Sequence, residues 1–154
     1  QVADDGSYIV QSVAPGEEYT VSVLMNREGR AVCAVPRQRL AVRAGEVSKG
    51  RAVKEPTLMQ LASRVAERLP GAYGPLNVQI FRDGSTEELN VIEINPRFGG
   101  GYPLAWHAGA RYSQWLIEEA LGLPSTASPD DWRNGMVMLR YDDAVFVEPE
   151  PGHD

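Results

Sequence analysis

Two short segments hold side chains whose types and spacing could do chemistry together: Asn77-Val78-Gln79-Ile80 and Val91-Ile92-Glu93-Ile94-Asn95-Pro96-Arg97. Residues two apart in a strand share a face, so Glu93 and Asn95 point one way and Ile92 and Ile94 the other. Asp83-Gly84-Ser85 between the segments reads as a turn, and pairing Gln79 with Glu93 centres that turn on residue 86. In this register Asn77, Gln79, Glu93 and Asn95 form one polar patch, while Val78, Ile80, Ile92 and Ile94 anchor the opposite face. A carboxylate beside amide oxygens is hard-oxygen chemistry, suited to magnesium rather than zinc. One carboxylate is a weak cage by itself, so phosphate oxygens and water would complete the shell, which points to a metal held with a nucleotide. The alternative is a solvated sheet face whose polar residues merely alternate. Arg97 suits bidentate phosphate contact, or a surface ion pair. Gly99-Gly100-Gly101 lets backbone amides approach an anion, or serves as a spacer.

The elements that must position these residues are legible in outline. Residues 7–11 and 18–25 are rich in β-branched and aromatic types, with a turn signal at Ala14-Pro15-Gly16 between them. Tyr19, Val21, Val23 and Met25 alternate with Glu18, Thr20 and Ser22, the period of a half-buried strand. Asn26-Arg27-Glu28-Gly29 turns the chain into a partner strand over 31–35, and 37–43 predicts another short strand before an exposed loop at 44–50. A helix begins near Glu55-Pro56, with Leu58, Leu61, Ala62, Val65 and Leu69 on one apolar face, and ends at Pro70-Gly71. Residues 76–81 and 89–94 form a hairpin, and a second helix spans about 112–121. After a polar connector at 125–131, segments 135–141 and 144–147 predict a closing strand pair followed by an acidic, Pro-rich tail. The order sheet, helix, hairpin, helix, sheet defines an α+β chain with a mostly antiparallel β-sheet flanked by helices.

Composition excludes several classes. The 154 residues suffice for a core without staples, and 43% hydrophobic with 23% charged is an ordinary globular balance. The formal net charge of −6 argues against a nucleic-acid partner. No apolar run approaches a membrane span, so no membrane partner is expected. The single Cys33 makes no internal disulfide and fits a reducing, cytoplasmic compartment; within its apolar strand it reads as a small buried hydrophobe. Lys49 and Lys54 are the only lysines, and the remaining basic residues are scattered arginines. Trp106, Trp115 and Trp132 read as core residues, and His107 as an ordinary packed or surface histidine. The chain opens Gln1-Val2-Ala3-Asp4-Asp5 without methionine, as expected of an excised or processed piece.

Asn77-Val78-Gln79 followed by Ile92-Glu93-Ile94-Asn95-Pro96-Arg97 resembles the C-terminal half of an ATP-grasp domain, in particular that of carbamoyl-phosphate synthetase-like carboxylate–amine ligases. The resemblance runs from about residue 7 to 123. It implies ATP with Mg²⁺ (or Mn²⁺), with Gln79, Glu93 and Asn95 as metal ligands and Arg97 as the catalytic contact to the transferred phosphoryl group. It also implies nucleotide contacts from Gln11 and the main chain of Val13 at the adenine, and from Glu18 at the ribose hydroxyls. Arg43 and Asn77 would complete that set near the phosphates. Arg43 departs from the relative it is compared with, which carries histidine there. The family's earlier lobe, with its glycine-rich loop and phosphate-holding lysines, has no counterpart here, since Lys49 and Lys54 do not match those positions.

The expectation is therefore a C-terminal ATP-grasp portion over 1–124, with 125–154 packed on it. It would belong to a ligase that activates a carboxylate as an acyl phosphate for attack by an amine or similar nucleophile. A non-catalytic nucleotide-binding or interaction module derived from the same fold is the alternative. The isolated chain is expected to be inactive and to self-associate or pair with the missing lobe.

Overall fold

The structure, a computed structural model, describes residues 10–141 and 143. Its elements run β1 (Glu17–Met25), β2 (Ala31–Arg43), β3 (Glu46–Ala52), α1 (Pro56–Glu67), β4 (Gly74–Arg82), β5 (Leu89–Asn95), α2 (Tyr102–Ala108), α3 (Tyr112–Ala120) and β6 (Val137–Leu139). The strands form one sheet in the order β5-β4-β1-β2-β3-β6, antiparallel throughout. This is the α+β class that the sequence predicts.

The two faces of the sheet differ in chemistry because side chains alternate along each strand. Tyr19, Val21, Val23 and Met25 of β1 and Leu76, Val78 and Ile80 of β4 face α1, which covers them with Leu58, Ala62 and Ala66. The other face is divided. Leu24, Cys33, Val35 and Ala52 pack under α2 and α3 against Leu104, Tyr112 and Trp115. Further along the same strands that face turns polar and is left uncovered by helix. Tyr112 is wholly buried, and its hydroxyl is shared between the carbonyls of Ser22 at 3.0 Å and Cys33 at 3.1 Å, fixing α3 to the sheet.

Four local expectations are corrected. Segments 31–35 and 37–43 are a single strand, β2, running through the buried Pro36. The expected loop at 44–50 is a strand, β3: Arg43 pairs with Glu46, leaving only Ala44 and Gly45, at φ 50° and 80°, to turn the chain. A helix, α2, follows the glycine triplet where no element was expected. Val10 and Gln11 are exposed and irregular rather than strand, while 1–9, 144–147 and the acidic tail lie outside the described residues. Among the described residues no helix is long and apolar enough to cross a membrane.

Candidate functional site

The polar half of the divided face gathers side chains from four strands. Across it, Thr20 stands opposite Gln79 and Ser22 opposite Asn77, while on the next strand Gln79 pairs with Glu93 and Asn77 with Asn95. Asn77, Gln79, Glu93 and Asn95 thus share a face, in the register that centres the turn on residue 86. A bulge follows: Ile80 pairs with Val91, so Ile92 is the extra residue and is 48% exposed rather than anchored on the opposite face.

Hydrogen bonds join the patch into a chain. Asn95 Nδ2 donates to Gln79 Oε1 at 3.2 Å, and Gln79 Nε2 donates to Glu18 Oε1 at 3.0 Å. The same Glu18 oxygen receives Arg39 Nη1 in an ion pair, while Arg39 Nη2 holds the Gly45 carbonyl at 3.0 Å. Glu93 lies exposed on the edge strand, and its side chain makes no hydrogen bond or ion pair among the described residues. The donor set is one open carboxylate with amide oxygens, and among the described residues no three His, Cys, Asp or Glu groups cluster. That fits a hard cation whose remaining ligands come from phosphate and water, and not a metal caged by protein.

Beside the patch, a narrow cleft of about 90 Å³ is lined by Thr20, Arg37, Arg39, Gln79, Asn95 and Arg97 and roofed by Gly99, Gly100 and Gly101. The glycines have a physical reason. A Cβ on Gly99 would meet Asn77 Oδ1 at 2.7 Å, and one on Gly101 would collide with Arg37 Nη1. The triplet therefore lets the backbone leading into α2 lie directly on the polar side chains of the sheet.

Arg37 escapes the sequence reading, and it is the most unusual group in the cleft. It is 4% exposed, its Nη2 donates to Ser22 Oγ and to Asn77 Oδ1 at 3.0 Å each, and its Nε is buried with no partner. Burial lowers its pKa to about 10, with the nearby Arg39 charge pushing the same way, so it stays cationic at neutral pH. A signal existed: Arg37 continues the parity of Cys33 and Val35 on β2, both on the inward face.

The other expected site residues are placed unevenly. Asn77 is buried, with its Oδ1 engaged by Arg37 and Ser22 and its Nδ2 donating to the Arg97 carbonyl. Arg97 is exposed at the cleft, its Nη1 donating to the Phe98 carbonyl at 3.1 Å. Gln11 and Val13 lie in the exposed irregular segment before β1, and neither they nor Arg43 at the end of β2 lines the cleft. Trp115 and Trp132 are core residues as expected. Trp106 instead is 38% exposed, with Arg111 over its ring at 5.5 Å.

Solved structures share this fold. The biotin carboxylase domain of Hydrogenobacter thermophilus 2-oxoglutarate carboxylase, in complex with MgADP, ADP and bicarbonate, matches with a TM-score of 0.59 at 19% identity, covering 79% of this chain and 28% of that one. Biotin carboxylase from Campylobacter jejuni, in a β,γ-ATP complex, matches with a TM-score of 0.64 at 14% identity, covering 82% and 30%. Rhizobium etli pyruvate carboxylase matches with a TM-score of 0.63 at 17% identity, covering 82% and 14%. The chain spans under a third of the length of each. Its architecture is that of an ATP-grasp lobe. A family model described as ATP-grasp in the biosynthetic pathway with Ter operon matches residues 5–144, and the chain belongs to that family. No curated protein matches the sequence.

Proposed function

We infer that this chain is the phosphoryl-transfer lobe of an ATP- and magnesium-dependent ligase that activates a carboxylate as an acyl phosphate. The observation that carries the reading is the pairing of Gln79 with Glu93, with Asn95 bonded to Gln79, on the face that opens into the arginine-lined cleft. Gln79, Glu93 and Asn95 would hold the metal, magnesium or the equally oxygen-seeking manganese. When bound, the ion supplies positive charge to the phosphate oxygens.

The chain's own residues do the rest by position and charge. Glu18 marks the ribose end of the face, where an ionised carboxylate accepts hydroxyl hydrogen bonds. Asn77 positions: its amide ties the sheet to the Arg97 backbone and aligns that residue. Arg97 offers a planar fork to the phosphoryl group in transfer, where its charge counts most. A carboxylate oxygen of the substrate bonds to the terminal phosphorus of ATP as the bond to ADP breaks. An amine or similar nucleophile then bonds to the acyl carbon, and phosphate leaves with the substrate's oxygen. No nucleophilic side chain takes part. Catalysis of this kind rests on positioning and electrostatics.

The oxygen bookkeeping gives the test. In the full natural protein, ¹⁸O-labelled carboxylate substrates offered with amines should release ADP and place one label in the inorganic phosphate. ADP release with unlabelled phosphate would overturn the acyl-phosphate step. This chain alone spans only part of the enzymes it resembles, so calorimetry should find MgATP bound weakly or not at all. Submicromolar affinity for the monomeric chain would overturn that expectation. Association with a further lobe or a second copy, and a cytoplasmic setting, accompany this reading.

A further inference from the structure

Arg37 is a buried cation that the fold does not neutralise. Of the five N–H donors a guanidinium carries, those on Nη2 reach the neutral oxygens of Ser22 and Asn77. Nε is buried without a partner, and Nη1 makes no hydrogen bond among the described residues while it faces the space a Gly101 Cβ would fill. Arg39, two residues along, has Glu18 as counter-ion; Arg37 has no acidic partner among the described residues. Taking a guanidinium out of water without a counter-ion carries a steep desolvation cost. A purely structural role does not explain it, because a neutral amide could bond Ser22 and Asn77 without burying charge. The cleft that Arg37 lines also holds Arg39, which is paired with Glu18, Glu46, which is paired with Arg140, and the exposed Arg97, and the chemistry that satisfies the free Nη1 donors is an oxyanion.

Position selects which oxyanion. Along β1 the polar face reads Glu18, Thr20, Ser22, in rows about 7 Å apart. Gln79 and Glu93 extend the Thr20 row, and Asn77 and Asn95 extend the Ser22 row. Arg37 is paired with Thr20 in the ladder, but its guanidinium is drawn to the Ser22–Asn77 row by both of its hydrogen bonds. Asn77 carries the Arg97 backbone in that same row. With the nucleotide entering at Glu18 and the metal held by Gln79, Glu93 and Asn95, the Arg37 guanidinium stands beside Asn77 in the row furthest from Glu18, the side from which the phosphoryl acceptor would approach. We propose that Arg37 is a substrate-anchoring residue whose unbonded Nη1 donors receive a carboxylate oxygen of the substrate. The proposal rests on the ligase reading above.

The Nε–H resonance of a buried arginine reports this directly in the native chain. With Arg37 assigned in ¹⁵N-labelled protein, titration with succinate, a plain dicarboxylate, should move its Nε–H signal saturably, while sodium chloride at matched ionic strength should not. Movement with inorganic phosphate but not with succinate would overturn the carboxylate assignment, and so would a signal that neither probe moves. The variant Arg37→Lys keeps the charge and loses the fixed Nη1 donors. It should bind succinate about tenfold more weakly than the native chain. A folded Arg37→Lys chain with native succinate affinity would overturn the proposal, and if that variant does not fold the native titration decides. Succinate binding at Arg37 in a full natural protein that releases no ADP from ATP would support the anchor and count against the ATP reading, so the two are separable.

Discussion

A single strand parity carries Cys33, Val35, Arg37 and Arg39 onto one face, and each side chain meets a different fate there. Val35 is simply core, Arg39 finds Glu18, and Arg37 is buried with no acidic partner among the described residues. Cys33 is buried, its thiol donating to the Pro129 carbonyl at 3.4 Å. Burial pushes that thiol from its ordinary 9.0 to about 11. The thiolate is the reactive species, so at pH 8 a disulfide reagent should modify the native chain far more slowly than the chain in denaturant. Rapid stoichiometric labelling of the native protein would show that the site opens. The sign of the linkage follows: the fold favours the neutral thiol, so its contribution is complete below the unfolded value and is lost as pH rises through about 11. The same residues mark the limit of sequence reading. The pairing of Gln79 with Glu93 was legible because alternation and turn length are local properties. The burial of Arg37 was masked, because a run of Arg37-Gln38-Arg39 has the composition of an exposed edge, and the parity it shares with Cys33 and Val35 points inward only once 31–43 is one strand.

Elements were legible where local pattern and tertiary role agreed. α1 has proline at its first turn and an apolar stripe, and it forms where those signals place it. β3 has Ser48, Lys49, Gly50 and Arg51 and weak strand propensity; pairing to β2 on one side and β6 on the other makes it a strand. α2 is only seven residues between glycines, too short for a periodic signal, and forms because Leu104 and Ala105 are buried under it. The connector after α3 is fixed by Glu118. Its carboxylate accepts from the Thr126 backbone N–H at 2.8 Å, from Gln114 Nε2 at 2.7 Å and from the Thr126 hydroxyl. The Thr126 backbone bond, then Gln114, holds its pKa below the usual carboxylate range. A depressed folded pKa contributes stability above the unfolded value, lost as pH falls through the folded one. Thermal melts of Glu118→Gln should therefore differ from native at neutral pH and converge with it in acid. A difference independent of pH would show that the carboxylate's charge plays no part.

At the scale of the whole molecule, the sheet assigns stability and chemistry to different places. One face is covered by α1 over β1, β2 and β4, while the other is apolar under α2 and α3 and polar beyond them. Substitutions on the two sides should therefore separate. Leu58 is completely buried between α1 and the sheet. Leu58→Ala should cost ~2–5 kcal/mol and lower the melting temperature by roughly 5–15 °C, leaving turnover per folded molecule unchanged. Glu93 is exposed on the edge strand with no partner among the described residues, so Glu93→Gln should shift stability by less than ~0.5 kcal/mol. Glutamine keeps the volume and a carbonyl oxygen and removes the one negative charge of the proposed metal patch. In the full natural protein its turnover should fall by about a hundredfold or more, which is ~2.7 kcal/mol of transition-state stabilisation. Arg97→Lys should follow it, because an ammonium cannot reproduce the planar fork, whereas Glu87→Gln, on the exposed turn, should leave ADP release unchanged. Paired melting and ADP-release measurements decide the matter. Native turnover in a folded Glu93→Gln protein would remove the central residue of the ligase reading, and a Glu93→Gln protein that melts as early as Leu58→Ala would show that the polar face supports the fold rather than the chemistry.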